Sequence, residues 1–197
     1  NRHYYGALNA QGTATDTIKF TSNEETPSAG DWVGIRFHDQ TNEELSLIDR
    51  CIIEYGGQVN RGGLDITSAS PAMIRNIEVK SSAGHGIYAN WSSSVLDTCT
   101  ASDNGQIGIY LSNCSSVITN NTIKNNTGLR NELGIGLLES NYNNVSENIL
   151  KDNGWCIYER NCIGNIMENN ICTGSTLPEP IFINGTATGV GAHNWTW

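Results

Sequence analysis

The chain has 197 residues, a formal net charge of −9 and only 16% charged residues. That acidic balance argues against nucleic acid, whose phosphates need clustered Lys and Arg. No apolar run approaches the roughly 18 residues of a membrane span, so no membrane insertion is expected, and the abundant Asn, Ser, Thr and Gly favour turns over helix interiors.

Residues 1–33 read as an irregular leading coil around GALNAQGTATDTIKFTS, with His3, Tyr4 and Tyr5 forming no obvious cap. Asn1 is followed by polar and aromatic residues rather than by a signal peptide. The chain is therefore expected to be a processed part of something larger.

From residue 34 a Gly-apolar-x-apolar step recurs. It reads GIRF at 34–37, GLDI at 63–66, GIYA at 86–89, GIYL at 108–111, GIGL at 134–137 and CIYE at 156–159. Alternating pairs such as Ile35 and Phe37, or Ile109 and Leu111, have the period of strands. A second signature follows each step, the triads Ile48/Cys51/Ile53, Ile74/Ile77/Val79, Leu96/Cys99/Ala101, Ile118/Asn121/Ile123, Val145/Asn148/Leu150 and Ile166/Asn169/Ile171. Self-similarity at this period means a solenoid. Three short strands per coil, roughly 22–26 residues, stack in parallel at about 4.8 Å. The expectation is a single all-β domain of about seven coils over 1–197, with regular coils at 34–176. The segment 177–197 breaks the repeat with Pro178 and Pro180 and carries Trp195 and Trp197; it is expected to be a cap or a linker to another module.

The middle residues of the triads should form an inward ladder, Cys51, Ile77, Cys99, Asn121, Asn148 and Asn169. Stacked Asn amides can satisfy one another there. The same ladder restrains the reading of the six cysteines. Cys51 and Cys99 lie two coils apart, about 9–10 Å, beyond disulfide reach, so most cysteines read as small buried hydrophobes. A bridge among Cys156, Cys162 and Cys172 stays open. There is no C-x-x-C pair and no metal-ligand spacing, so no zinc or other metal site is expected.

The repeats GIYLSNCSSVITNNTIKNN (108–126) and GIGLLESNYNNVSENILKDN (134–153) resemble those of right-handed parallel β-helix proteins. Such coils occur in carbohydrate-binding and sugar-hydrolase modules. The stretch LNAQGTATDTIKFTS…GDWVGIRF (8–37) is similar to the first coils of large secreted surface proteins, especially archaeal ones. The resemblance implies a right-handed parallel β-helix at the cell surface. Some such relatives, the disaggregatases, attack a chondroitin-like polysaccharide; others are surface modules without known chemistry. Seven N-x-Ser/Thr sequons, at Asn90, Asn113, Asn120, Asn125, Asn144, Asn184 and Asn194, fit an extracellular setting, although a chain this rich in Asn, Ser and Thr generates such triplets by composition.

Between the two inward apolar residues of each Gly-led strand stand Arg36, Asp65, Tyr88, Tyr110, Gly136 and Tyr158. The tyrosines form an outward stripe with a notch at Gly136, and the C–H faces of sugars stack on such rings; Tyr is equally a good exposed strand residue. Trp91 and Arg36, the latter beside His38 and Asp39, extend the candidate glycan-binding set. Glycoside hydrolysis needs two carboxylates about 5–10 Å apart, for which Asp39, Asp65, Glu139 and Glu159 are the candidates; Glu159 also has Arg160 beside it as a ready partner. A second outward row, Glu54, Lys80, Ser102, Lys124, Lys151 and Cys172, offers lysines as a lyase base or simply a solvated face. His85, before Gly86, reads as an exposed turn residue.

These features point to an extracellular polysaccharide-associated module that binds, and by lyase or hydrolase chemistry cleaves, a cell-surface or matrix glycan. Whether any reaction is catalysed stays open. No cofactor is expected, with calcium open for the lyase reading. The competing class is a non-catalytic structural module of the cell envelope, self-associating end to end or adjoining further domains of a larger chain.

Overall fold

The apolar alternation becomes short strands, and every strand pairing is parallel. The computed structural model describes residues 6–124, 126, 133–175, 181–188 and 194–196. Among the described residues the regular elements are all strands.

Each turn lays down three. The first turns are β1 (Asn9–Gln11), β2 (Ile18–Phe20) and β3 (Ile35–Phe37), then β4 (Leu47–Asp49), β5 (Cys51–Glu54) and β6 (Gly62–Thr67). They continue with β7 (Met73–Arg75), β8 (Glu78–Lys80), β9 (His85–Asn90), β10 (Val95–Asp97), β11 (Thr100–Ser102) and β12 (Ile109–Ser112). Next come β13 (Val117–Thr119), β14 (Thr122–Lys124), β15 (Leu133–Leu138), β16 (Asn144–Ser146) and β17 (Ile149–Lys151). The long β18 (Trp155–Glu168) rounds a corner, followed by β19 (Ile171–Thr173), β20 (Ile181–Thr188) and β21 (Asn194–Thr196). Because β18 rounds that corner, the first and third strands of the turns join into one 13-stranded sheet, while the second strands form an 8-stranded sheet.

Register makes the core a set of straight ladders. Ile48, Ile74, Leu96, Ile118, Val145 and Met167 pair in sequence at steps of 26, 22, 22, 27 and 22 residues, and each is essentially unexposed. Those steps are five turns, so the expected count of about seven coils is slightly high. The strands β1 to β3 and β19 to β21 stack at the two ends. Within the segment 177–197, β20 pairs with β18 and β21 with β19; Pro178, Pro180 and Trp197 lie outside the described residues, as do His3, Tyr4, Tyr5 and Asn125.

The sixth triad is corrected by one residue. Met167, Asn170 and Cys172 point inward, whereas Ile166 and Ile171 are 40% and 38% exposed. A one-residue slip moves every side chain of a strand to the opposite face, and the doublet Asn169-Asn170 invites that slip. Asn169 is the corner residue, with φ +53°. The row beside the triads shifts too, with Thr173 rather than Cys172 beside Lys151.

Corners explain the composition. At the first corner of successive turns Arg50, Asn76, Thr98, Asn120, Glu147 and Asn169 all take the left-handed conformation, with φ between +50° and +59°. The residue after each corner points inward, and from the fourth of these onwards it is Asn. Asn148 Oδ1 accepts from the N–H and the Nδ2 of Asn121 (both 3.1 Å), while its own Nδ2 donates to the Ile118 carbonyl (3.1 Å) and to Asn170 Oδ1 (2.9 Å). Two further ladders, Asn104–Asn126–Asn153 and Asn143–Asn165, do the same at the other two corners.

The Gly-led step belongs to this scheme. A Cβ on Gly108 would sit 2.7 Å from Asn126 Nδ2 and 2.9 Å from the Gly134 carbonyl oxygen, so only glycine leaves room for the amide. Where Cys156 replaces glycine it forms a disulfide with Cys172, their Cα atoms 6.1 Å apart. Cys51, Cys99, Cys114 and Cys162 are free and buried.

Asn148→Ala would strand the Asn121 N–H and the Ile118 carbonyl in the core. Each buried unpaired group costs roughly 1–3 kcal/mol, so urea unfolding should show a loss of about 3 kcal/mol or more.

Candidate functional site

The third strands of the turns carry the residues singled out for chemistry. Their outward row is in strict register: Arg36, Asp65, Tyr88, Tyr110, Gly136, Tyr158 and then Phe182. The Tyr88 and Tyr110 rings lie 5.7 Å apart, tilted at 46°. On the far side of Gly136, Tyr158 stacks on Phe182 at 4.8 Å and 10°. Burial raises the pKa of the Tyr88 and Tyr110 phenols, so both stay protonated near neutral pH and can donate hydrogen bonds.

At the level of Gly136, between Tyr110 and Tyr158 in the register, lies a pocket of ≈ 360 Å³. Tyr88, Tyr110 and Tyr158 line it together with Leu133, Leu138, Asn60, His85 and Arg160. Its floor is apolar and its rim polar, as in small-molecule sites.

His85 is buried rather than exposed. Its ring centroid lies 4.9 Å from that of Tyr110 and 5.7 Å from that of Tyr88, and its Nδ1 accepts the Ile107 N–H at 3.2 Å. Burial lowers its pKa to about 4, leaving a neutral imidazole at pH 7.

The carboxylate candidates do not gather here. Asp65 is in the row but fully buried, held by Arg61 Nη1 at 3.3 Å and the Thr67 hydroxyl at 2.8 Å. That Arg61 guanidinium also sits 5.7 Å from the Tyr88 ring. Glu139 and Trp91 are exposed corner residues with φ +50° and +52°, and neither lines the pocket. Glu159 pairs in register with inward Leu137 and is fully buried. Its Oε2 accepts from Asn165 Nδ2 at 3.0 Å, its Oε1 has no partner among the described residues, and burial raises its pKa. Strand alternation sends Glu159 to the opposite face from Arg160, so the two do not pair.

Arg36 lies at the far end of the row, bonded to Gln58 Oε1 at 3.1 Å. It lines a separate cleft with His38, Asp39, Phe37 and Leu8. The lysine row lies on the 8-stranded sheet, away from the pocket. There Lys80 pairs with Glu54 and Glu78, and Lys151 with Asp152.

Sequence reasoning missed two contributors, Trp155 and Phe182, and misplaced two others, reading His85 as an exposed turn residue and Arg160 as the partner of Glu159. Trp155 packs 5.5 Å from the Tyr158 ring. The signal for Arg160 was its place two residues beyond Tyr158, hence on the same strand face. Phe182 gave none, because the step it belongs to lacks the leading glycine.

The sequence pattern described as the right handed beta helix region matches residues 7–172. The chain belongs to the right-handed β-helix family. No curated protein and no solved structure matches it. The family makes this right-handed β-helix a polysaccharide-associated or structural module. Among the described residues no group of three or more His, Cys, Asp or Glu is placed to hold a metal ion, and no helix is long and apolar enough to cross a membrane.

Two stability measurements test the buried ionisable groups. Below pH 6.5 the unfolded chain protonates its histidine while folded His85 does not until about pH 4. Stability should therefore fall by up to about 3 kcal/mol on acidification through that window, and His85→Gln should remove that part of the slope. Glu159 has the opposite sign: its raised pKa means that folding is disfavoured as pH climbs above the ordinary carboxylate range and the group must ionise. Glu159→Gln keeps the acceptor for Asn165 and removes the ionisable group, so the fall of unfolding stability with rising pH should flatten in the variant.

Proposed function

We propose that this β-helix is an extracellular module that holds a glycan against the Tyr88, Tyr110 and Tyr158 row, with the Gly136 pocket as its central subsite. The observation that carries the reading is the aromatic row interrupted by one glycine. Sugar rings offer apolar C–H faces to aromatic rings and hydroxyls to phenols and amides, and an extended chain can follow the row along the solenoid. The disulfide Cys156–Cys172 supports an oxidising compartment.

Binding rather than cleavage is the better reading. A hydrolase needs two carboxyl groups facing the scissile bond. Here Glu159 faces the core, Asp65 is held by Arg61 and Thr67, and Glu139 stands on a corner.

Retention on a panel of neutral and uronic-acid polysaccharides, with and without calcium, tests this directly. Reducing ends and the ultraviolet absorbance of unsaturated products are followed in the same incubations. Tyr110→Ala should weaken retention by about 1 kcal/mol or more, roughly fivefold, with unchanged β-sheet circular dichroism. Unchanged retention would reduce the row to ordinary surface. Absence of any retention, together with concentration-dependent end-to-end association, would favour the structural class.

A further inference from the structure

We propose that the Gly136 pocket selects a sugar ring bearing an anionic substituent, a carboxylate or a sulfate ester, and that Arg160 is the residue that selects it. The inference rests on the glycan reading above and adds the charge of the ligand and the residue that reads it.

The first observation is geometric. Tyr110 and Tyr158 stand one level below and one level above Gly136, which separates them by about 9–10 Å at the parallel strand spacing. Stacked rings sit 4.5–7 Å apart, so a single ring at the Gly136 level lies within stacking distance of both. Tyr110 already leans into that space: a Cβ on Gly136 would meet Tyr110 Cδ2 at 3.2 Å and Leu133 Cδ1 at 3.4 Å. A pocket of ≈ 360 Å³ falls in the size range of small-ligand sites.

Charge supplies the second. The chain carries 20 acidic residues against 11 basic ones, yet among the described residues no carboxylate lines this pocket and Arg160 does. The buried imidazole of His85 is neutral near pH 7, so among the described lining residues the charge is that of Arg160 and is positive. Arg160 is exposed and no carboxylate pairs with it among the described residues. The arginines at 50, 61 and 75, by contrast, are all bound to aspartates. The neighbour that should have neutralised Arg160, Glu159, is turned into the core. Glu139, whose charge is felt at Tyr110, stands on the adjacent corner and does not line the pocket. A guanidinium matches a carboxylate or sulfate with two parallel N–H···O bonds, and Asn60 and the phenols remain for the hydroxyls. Because the protein as a whole is acidic, retention of an anionic polymer would not arise from general attraction.

The test compares polymers that share a backbone and differ in charge. Hyaluronan, alginate and polygalacturonate are each measured beside their carboxyl-reduced forms, and κ-carrageenan beside its desulfated form. Affinity electrophoresis at physiological salt is run with the wild type and with Arg160→Gln, Arg160→Lys, Gly136→Leu and Tyr110→Ala. At least one charged polymer should bind on the order of tenfold tighter than its neutralised partner. Whether it is a carboxylate or a sulfate polymer identifies the substituent. Arg160→Gln should collapse that ratio towards one, and Arg160→Lys should keep part of it. Tyr110→Ala should weaken both members of the pair alike, and Gly136→Leu, which fills the pocket, should abolish binding of both. A neutral form that binds as tightly as its parent, or a ratio that survives Arg160→Gln, overturns the assignment while leaving the aromatic subsite standing. Retention of no polymer, charged or neutral, overturns both.

Discussion

Three times in every turn the backbone bends, and each bend exposes N–H and C=O groups that no neighbouring strand can pair. The fold depends on how those groups are satisfied. A single left-handed residue makes the corner, and the Asn that follows spans two turns with its amide, accepting an N–H on one side and donating to a carbonyl of the same earlier turn. The Asn amide carries an acceptor oxygen and a nitrogen with two donors, so each asparagine serves the backbone and the next amide at once, and successive asparagines continue the ladder without a break. Burial of so many polar groups is tolerable because almost every one is paired.

The ladders also discipline the strands between them. Asn104, Asn126 and Asn153 lie against Gly86, Gly108 and Gly134, so the Gly that opens each third strand and the Asn that closes the preceding second strand belong to one packing arrangement. With corners and strand starts tied together, equivalent residues stay in register from turn to turn. Side chains then repeat along the axis at the strand spacing, and the outer surface becomes a row in which each turn contributes one position.

Such a row gives a single residue unusual weight. Tyrosine in every turn would make a continuous ridge; one glycine at Gly136 makes a pocket with aromatic walls on both sides. The same alternation that exposes Tyr158 buries Glu159 and exposes Arg160. An adjacent pair of opposite charges is thereby split across the sheet, leaving a buried acid below and a free cation above. The chemistry of the site follows from strand parity more than from local sequence.

The repeat is legible from residue order alone. Gly-apolar-x-apolar steps and their triads established parallel three-strand coils, the inward aliphatic ladders, the first Asn ladder and the outward Tyr row. All of these depend on periodicity that persists over many turns, so one misread residue does not disturb them. The ambiguous cases were single residues. Asn169 and Asn170 are interchangeable in a pattern, and only the pairing of β16 and β19 with their neighbours decided which is the corner. Glu159 reads as the end of an outward strand until its register with Leu137 sends it into the core. His85 looks like a turn residue until the Ile107 N–H and two tyrosine rings enclose it. The pairing of Cys156 with Cys172 was one of several that spacing allowed, and Cα separation across two strands decided it. Burial, pairing and pocket shape are properties of residues brought together from different turns, so only the tertiary structure could assign them.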